Sequence, residues 1–352
     1  MIKPTIISIV GARPQFIKHA PVQLALEKSF RALTIHTGQH YDTNMSGVFF
    51  KELGIPTPEF VFDQRGASLQ GAQTGKMLAE IEKVLLAEKP KCVLVYGDTN
   101  STLAGALAAA KLNIPVIHIE AGLRSFNKQM PEEINRILTD QLSDMLFCPT
   151  DSAVENLKKE GVSDSKIFRS GDVMCDMLRL VESKLTPKVG GKYYFATIHR
   201  PYNSDVPDRL RRIFEQFQSL NHPVLLAIHP RTKASLESAQ IAPTFYPNIQ
   251  FLEPQGYLDS LSLQKYSEAV ITDSGGIQKE AYILKKKCIT IRKETEWEET
   301  LAEGWNQLVF EDLDSLKSRL LRTPGSHNEN LYGDGKASEQ IVNHITNYFF
   351  LE

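Results

Sequence analysis

The feature that most constrains this chain is a series of short apolar runs separated by segments of helical length: TIISIV (residues 5–10), ALTIHT (32–37), CVLVYG (92–97), PVIHIE (115–120) and MLFCPT (145–150). Their apolarity is continuous rather than alternating. That pattern belongs to strands covered on both faces, so a parallel sheet with helices on either side is expected. The Ala-rich stretch NSTLAGALAAAKLN (100–113) reads as one of the crossover helices. A second series follows, with KYYFATIH (192–199), PVLLAIH (223–229), IQFLE (249–253), EAVITDS (268–274), KCITIR (287–292) and NQLVF (306–310). Between the two series lies LTPKVGGK (185–192), whose Pro and Gly mark a linker. At 352 residues the chain also exceeds what one hydrophobic core usually supports. The expected fold is α/β, with two Rossmann-like domains whose parallel sheets face each other across a cleft. The expected bounds are 1–184 and 185–336, with a C-terminal helix over 337–352 that can pack on either domain.

Composition removes several classes of function. With 42% hydrophobic and 23% charged residues, the chain reads as a folded domain protein rather than a disordered one. A formal net charge of -2 gives no chain-wide preference for nucleic acid, so any bound anion must be met by local charge. The apolar run before Gly11 is too short for a secretory signal or a bilayer span, and no membrane partner is expected. Cys92, Cys148, Cys175 and Cys288 are widely spaced with no CxxC pair, which suits buried reduced thiols in a cytoplasmic protein.

In open parallel sheets the strand C-termini face the ligand crevice, and chemistry-bearing residues collect at those ends here. Asp98 ends one run and Glu120 the next, so the two acids are expected on neighbouring strands, on the order of 5 to 10 Å apart. Glu132 follows Pro131 at a helix start, where an acid also complements the helix dipole, and Glu133 with Arg136 has the spacing of an ordinary helical ion pair. GARPQFIK (11–18) brings Arg13 and Lys18 beside a strand-to-helix turn suited to an anion. It is no Walker A loop, because Ile17 stands where a glycine is required, and GAQTGK (71–76) is one residue short. DSGGIQKE (273–280) is another strand, glycine turn and helix start of the kind that receives phosphate, with Glu280 in reach of ribose hydroxyls. His199 and His229 each end an apolar run and are each followed closely by an Arg, which favours anion contact by either imidazolium together with Arg231. His19, His118 and His222 have no such company and read as structural. No GxGxxG follows a strand and no HxxE or HExxH spacing occurs, so neither NAD, flavin nor metal is expected.

Taken in order, GARPQFIKHAPV, TGQHYD, YGDTNSTLAGALAA, HIEAGLRS, PEEINR, HR, HPRT and DSGGIQKE resemble the non-hydrolysing UDP-N-acetylglucosamine 2-epimerase family from about residue 5 to residue 300. The resemblance implies a GT-B fold, a UDP-sugar substrate, a homodimer, and no NAD or metal cofactor. It implies catalytic roles for Asp98, Glu120, Glu132 and His199. It assigns substrate binding to Arg13, Lys18, Ser274, Gly275, Gly276 and Glu280, with Gln39, His40, His229 and Arg231 as further substrate-side residues. The implied reaction interconverts UDP-GlcNAc and UDP-ManNAc, or a related UDP-HexNAc pair, for surface polysaccharide synthesis. A hydrolysing epimerase that releases UDP and ManNAc, a GT-B glycosyltransferase and a non-catalytic UDP-sugar-binding regulator remain as alternatives. Some positions depart from the commoner pattern of the family: HRPYN in place of HRxEN, Lys279 where a second acid is typical, Ser260 where a base-stacking residue is common, and Trp297 where Arg is frequent. A modified sugar, such as a 2,3-diacetamido or 6-deoxy derivative, is therefore also in view.

Overall fold

The computed structural model describes residues 3–39, 50, 53–63 and 69–350. The chain divides into two compact units, Met1–Leu180 with Asn330–Glu352, and Val181–Glu329.

In the first unit seven parallel strands lie in the order β3-β2-β1-β4-β5-β6-β7. They are β1 (Thr5–Val10), β2 (Arg31–His36), β3 (Phe60–Val61), β4 (Cys92–Tyr96), β5 (Val116–Ile119), β6 (Met145–Cys148) and β7 (Ile167–Arg169). The helices are α1 (Arg13–Leu26), α2 (Gln70–Glu88), α3 (Asn100–Lys111), α4 (Pro131–Leu142), α5 (Asp151–Lys159) and α6 (Val173–Val181), the last running to the division between the units. The central strands are sealed on both faces: Ile6, Ile7, Ile9, Val93, Leu94 and Val95 are wholly or almost wholly buried. On one face Ile7, Ile9, Val93 and Val95 pack with Met77, Ile81 and Leu85 of α2 and with Ala104 and Ala108 of α3. Thr99 caps α3, its hydroxyl accepting from the Thr102 amide. The strands missing from the sequence reading, β3 and β7, are only two and three residues long. Runs that short carry no periodicity to read.

The second unit has six parallel strands in the order β10-β9-β8-β11-β12-β13. They are β8 (Tyr194–Thr197), β9 (Val224–Ala227), β10 (Ile249–Leu252), β11 (Ala269–Thr272), β12 (Cys288–Thr290) and β13 (Asn306–Leu308). Its helices are α7 (Pro201–Ser204), α8 (Pro207–Gln218), α9 (Pro230–Ser238), α10 (Tyr257–Lys265), α11 (Gly275–Ile283) and α12 (Leu316–Leu321). Leu210, Ile213, Phe214 and Phe217 of α8 form the apolar stripe that covers one sheet face.

The final helix, α13 (Ala337–Phe350), belongs to the first unit and packs on α1. Asp176 of α6 holds its start, accepting from the amides of Ala337 at 3.1 Å and Ser338 at 2.7 Å. Those amides have no partner within the helix, which is why an acid from elsewhere in the unit is useful there. No helix among the described residues is long and apolar enough to cross a membrane.

His19 sits inside this packing, with Nδ1 3.1 Å from the Tyr96 hydroxyl and Nε2 3.1 Å from the Thr34 hydroxyl. Burial pulls its pKa down to about 3, so the native state keeps it neutral. An unfolded histidine takes up a proton near pH ~6.5, so the stability carried by neutral His19 is complete above that pH. It is lost as pH falls from there towards the native value, at about 1.4 kcal/mol per unit. Urea midpoints measured from about pH 7 down to about pH 4 should therefore fall more steeply for the native chain than for His19→Gln. Parallel curves would contradict the assignment.

Candidate functional site

Both sheets reverse their strand order at the centre, between β1 and β4 in the first unit and between β8 and β11 in the second. A crevice opens outside the strand ends at such a point, because the connecting helices leave in opposite directions. Of the residues singled out in the sequence, Arg13, Asp98, His199 and Ser274 follow the four strands at these reversals, and Glu120 follows β5, next to β4.

In the first unit the turn after β1 is stitched to β4 by Gln15. Its Oε1 accepts from the amides of Gly11 and Ala12 at 2.8 and 3.1 Å, and its Nε2 donates to the Tyr96 carbonyl at 2.9 Å. Arg13, half-buried, opens α1. Further along α1, Lys18 forms an ion pair with Glu120, and both side chains are largely buried. Lys18, expected at a phosphate, is thus set against a carboxylate in this structure.

Glu120 follows β5 with φ of 69°, a left-handed conformation that costs a non-glycine residue on the order of 1 kcal/mol. The amides of Glu120 and Ala121 both donate to the Phe147 carbonyl, at 3.1 and 3.0 Å, and so hold the chain in that shape. Gly97, at the end of β4, also has a positive φ, of 63°, and a methyl group there would lie 3.2 Å from both the Glu120 carboxylate and the Lys18 ammonium. The ion pair therefore rests over bare backbone.

Asp98, the next residue, pairs with Arg136 at 2.5 Å and keeps its side chain 29% exposed. Its carbonyl accepts from Asn135 at 2.9 Å. The helical ion pair expected between Glu133 and Arg136 is present, at 2.9 Å, but it is buried, and Arg136 also bridges Glu133 to Asp98. Burial acts to raise the Glu133 pKa, but the Ser125 amide, the Arg136 guanidinium and the Phe126 amide outweigh it and hold the carboxyl below its ordinary value. Glu133 is thereby an anchor for the loop after β5. Its neighbour Glu132, half-buried in the first turn of α4, has no side-chain hydrogen bond or ion pair recorded among the described residues. Gln39 accepts from the Ser101 amide at 3.0 Å and hydroxyl at 2.6 Å, which ties the segment after β2 to the start of α3. His40 lies outside the described residues.

In the second unit the organising group is Asp273, fully buried at the end of β11. It accepts from the His199 amide at 3.0 Å, the Arg200 amide at 2.9 Å and the Asn203 side chain at 3.0 Å, and His199 Nδ1 lies 3.1 Å away. With Nδ1–H turned to this carboxylate, Nε2 is the nitrogen left for other chemistry. Burial lowers the His199 pKa and Asp273 opposes it, but Arg200, Arg231 and Arg292 add to the lowering. The expected imidazolium at this position is therefore disfavoured in this structure. The His229 ring lies 5.3 Å from that of His199, and its Nδ1 accepts from the Arg231 amide at 3.2 Å at the start of α9. Arg231 pairs with Asp205 at 3.1 Å.

Ser274 stands at the N-cap position of α11 without a side-chain capping bond, and the two glycines that follow do different work. A methyl at Gly275 would collide with the Glu296 carboxylate, whereas Gly276 is exposed with nothing within 4 Å of such a methyl. Gly276 is thus the point open to a ligand, and the N-terminus of α11 carries no acid in its first turn to compete with an anion. Glu280 is buried and accepts from Gln264 at 2.7 Å.

Sequence reasoning missed Gln15, Asn135, Arg136 and Asp273 as members of these clusters. Asp273 had a signal of the same kind as Asp98, an acid closing an apolar run. The contacts that tie Gln15 to Tyr96, and Asn135 and Arg136 to Asp98, join residues distant in the chain and left no such signal.

A family model described as UDP-N-acetylglucosamine 2-epimerase matches residues 23–346. The chain is 46% identical over 359 residues to a UDP-N-acetylglucosamine 2-epimerase homolog of Methanococcus maripaludis, covering 97% of this chain and 99% of that protein. It is 47% identical over 355 residues to the UDP-2,3-diacetamido-2,3-dideoxy-D-glucuronate 2-epimerase of Pseudomonas aeruginosa, again covering 97% of this chain and 99% of the relative. Among solved structures, the Methanocaldococcus jannaschii UDP-GlcNAc 2-epimerase in complex with UDP-GlcNAc and UDP superposes with a TM-score of 0.85 at 42% identity, covering 98% of this chain and 99% of that one. Two parallel α/β units and matches over nearly the whole length lead to one conclusion: the chain belongs to the UDP-N-acetylglucosamine 2-epimerase family of GT-B-type isomerases.

Proposed function

We propose that the chain interconverts UDP-GlcNAc and UDP-ManNAc, or a closely related UDP-HexNAc pair, by eliminating and re-adding UDP. Asp98 and Glu120 carry this reading: they follow the adjacent strands β4 and β5, the first of them at the reversal, and each is paired with a largely buried cation, Arg136 and Lys18. The C2 proton of the sugar sits beside an amide nitrogen with no adjacent carbonyl, so a free carbanion has nothing to stabilise it. Elimination avoids that species. A carboxylate takes the C2 proton while the C1–O bond breaks, and its electrons leave with UDP to give a 2-acetamidoglucal. A UDP oxygen then bonds to C1 as an acid delivers a proton to the opposite face of C2.

Asp98, Glu120 and Glu132 supply the proton-transfer groups of this scheme. Arg13, Ser274, Gly275, Gly276, His229 and Arg231 hold the diphosphate, Glu280 the ribose, and His199 Nε2 donates to the departing phosphate oxygen. Gln39 and His40 complete the set in this proposal, and Lys18 acts through Glu120. The enzyme is proposed to work as a cytoplasmic homodimer that supplies a surface glycan. A diacetamido uronate is the second substrate candidate, because the Pseudomonas aeruginosa relative is named for one.

Incubating candidate UDP-HexNAc sugars in D₂O tests the proposal. Deuterium should appear at C2 of both epimers with the nucleotide retained. Release of free ManNAc would indicate the hydrolysing reaction instead, and an undisturbed C2 proton would exclude epimerisation. Asp98→Asn, Glu120→Gln and Glu132→Gln should each lower kcat by about 10²- to 10⁴-fold while UDP affinity stays within about threefold. A loss confined to KM would remove them from proton transfer.

UDP binding should favour the protonated form of His199. Because the free enzyme holds the His199 pKa below the ordinary histidine range, the affinity for UDP should keep rising as pH falls below that range, and His199→Asn should flatten that slope. Calorimetric titration across this range and below it provides the check.

A further inference from the structure

The segment Arg292–Trp297, which follows β12, is fastened to a single face of α11. Thr295 donates to Gln278 Oε1 at 2.7 Å, and Gln278 also accepts from Asn306 at 3.0 Å. The Lys279 ammonium lies over the Trp297 ring, 4.0 Å from its centroid. Gly275 sits against the Glu296 carboxylate and 3.6 Å, measured from its missing methyl, from Trp297 Nε1. Glu296 is in turn held by Arg292 at 2.9 Å. Residues 275, 278 and 279 are spaced i, i+3 and i+4, so they line one side of the helix. A methyl at Gly276, by contrast, would have nothing within 4 Å.

Lys279 is 1% exposed and Trp297 4% exposed, so the cation is held away from bulk water against an aromatic face. Cation–π attraction is strongest under such desolvation. Neither residue is placed to meet a ligand at Gly276. Their effect on one must pass through the position of the helix start.

We infer that Lys279 and Trp297 are positioning residues that latch the N-terminal turn of α11 in the geometry that receives a nucleoside diphosphate. The inference rests on the assignment of that turn to UDP made above. The latch fixes where the first amides of α11 point, so it acts on nucleotide binding and leaves proton transfer at the sugar to the acids of the first unit.

Full-length Lys279→Met and Trp297→Leu should raise the Kd for UDP and the KM for the UDP-sugar about 10- to 30-fold, with kcat within about threefold. Trp297→Phe, which keeps a ring face, should recover most of the affinity. The electronic character of the contact can be isolated in a Trp305→Phe background by replacing the remaining tryptophan with analogues of rising fluorine content. Ring size hardly changes in that series while the ring face loses negative charge, so UDP affinity should fall stepwise with fluorination.

The latch would be overturned by variants with native circular dichroism and melting that bind UDP as the native chain does. A loss seen only in kcat would also overturn it, as would a flat fluorination series. If the native chain itself fails to bind UDP, the nucleotide assignment of the turn falls and the latch falls with it. Normal native binding with unaffected variants removes the latch alone.

Discussion

Everything chemical in this molecule depends on the point at which a parallel sheet reverses its strand order. A strand inside a parallel sheet has its backbone groups paired on both sides, so its free ends are the only places where a side chain or amide can be offered to a ligand. β1 with β4 creates one such place, and β8 with β11 creates another. The helices that leave these strands in opposite directions cannot close the gap, so the gap must be furnished by the residues that follow each strand. Gly97 and Asp98 furnish the first, with Glu120 beside them at the end of the next strand, β5, and His199, Asp273 and Ser274 furnish the second.

The two sites solve the problem of buried charge in different ways. In the first, Asp98 and Glu120 are each given a cation, and Arg136 serves two acids at once. Removing one partner from such a set leaves an uncompensated buried charge, which is why these residues form an all-or-nothing group. In the second, one carboxylate, that of Asp273, is satisfied mainly by backbone amides and an amide side chain. Two of the cations near it are paired with other acids, Arg231 with Asp205 and Arg292 with Glu296. An acid-rich site and an anion-receptive site in one chain are what the proposed coupling of proton loss to leaving-group departure requires. Backbone geometry is enlisted as well, since the left-handed turn at Glu120 persists only because the amides there are pinned to Phe147.

Much of the architecture was legible because it rests on local chemistry. The runs TIISIV and CVLVYG became β1 and β4 within a residue of their expected limits, since covered strands must be apolar on both faces. The acids and histidines at strand ends were equally visible, being polar interruptions of apolar runs. Two short edge strands escaped notice because Phe60–Val61 and Ile167–Arg169 pair too briefly to leave a pattern. Arg136 was legible as a partner of Glu133 but not of Asp98, which lies on another element. Lys18 was legible as a cation at a helix start but not as the partner of Glu120. His118, read as structural, is fully buried between the Asp140 carboxylate at 2.6 Å and the Gly97 carbonyl at 2.8 Å, and so it fixes the very turn that presents Asp98.

By itself the amino-acid sequence determined the class of sheet, the presence of two such sheets, and the residue types available at their strand ends. These follow from periodicity and composition, which act over a few neighbouring residues. Only the tertiary structure decided which charge neutralises which, that Gly275 serves packing while Gly276 faces open space, and that a buried lysine finds an aromatic ring eighteen positions further along the chain. Pairing of that kind depends on distances between atoms far apart in the sequence, and those distances exist only once the sheets have set the strands side by side.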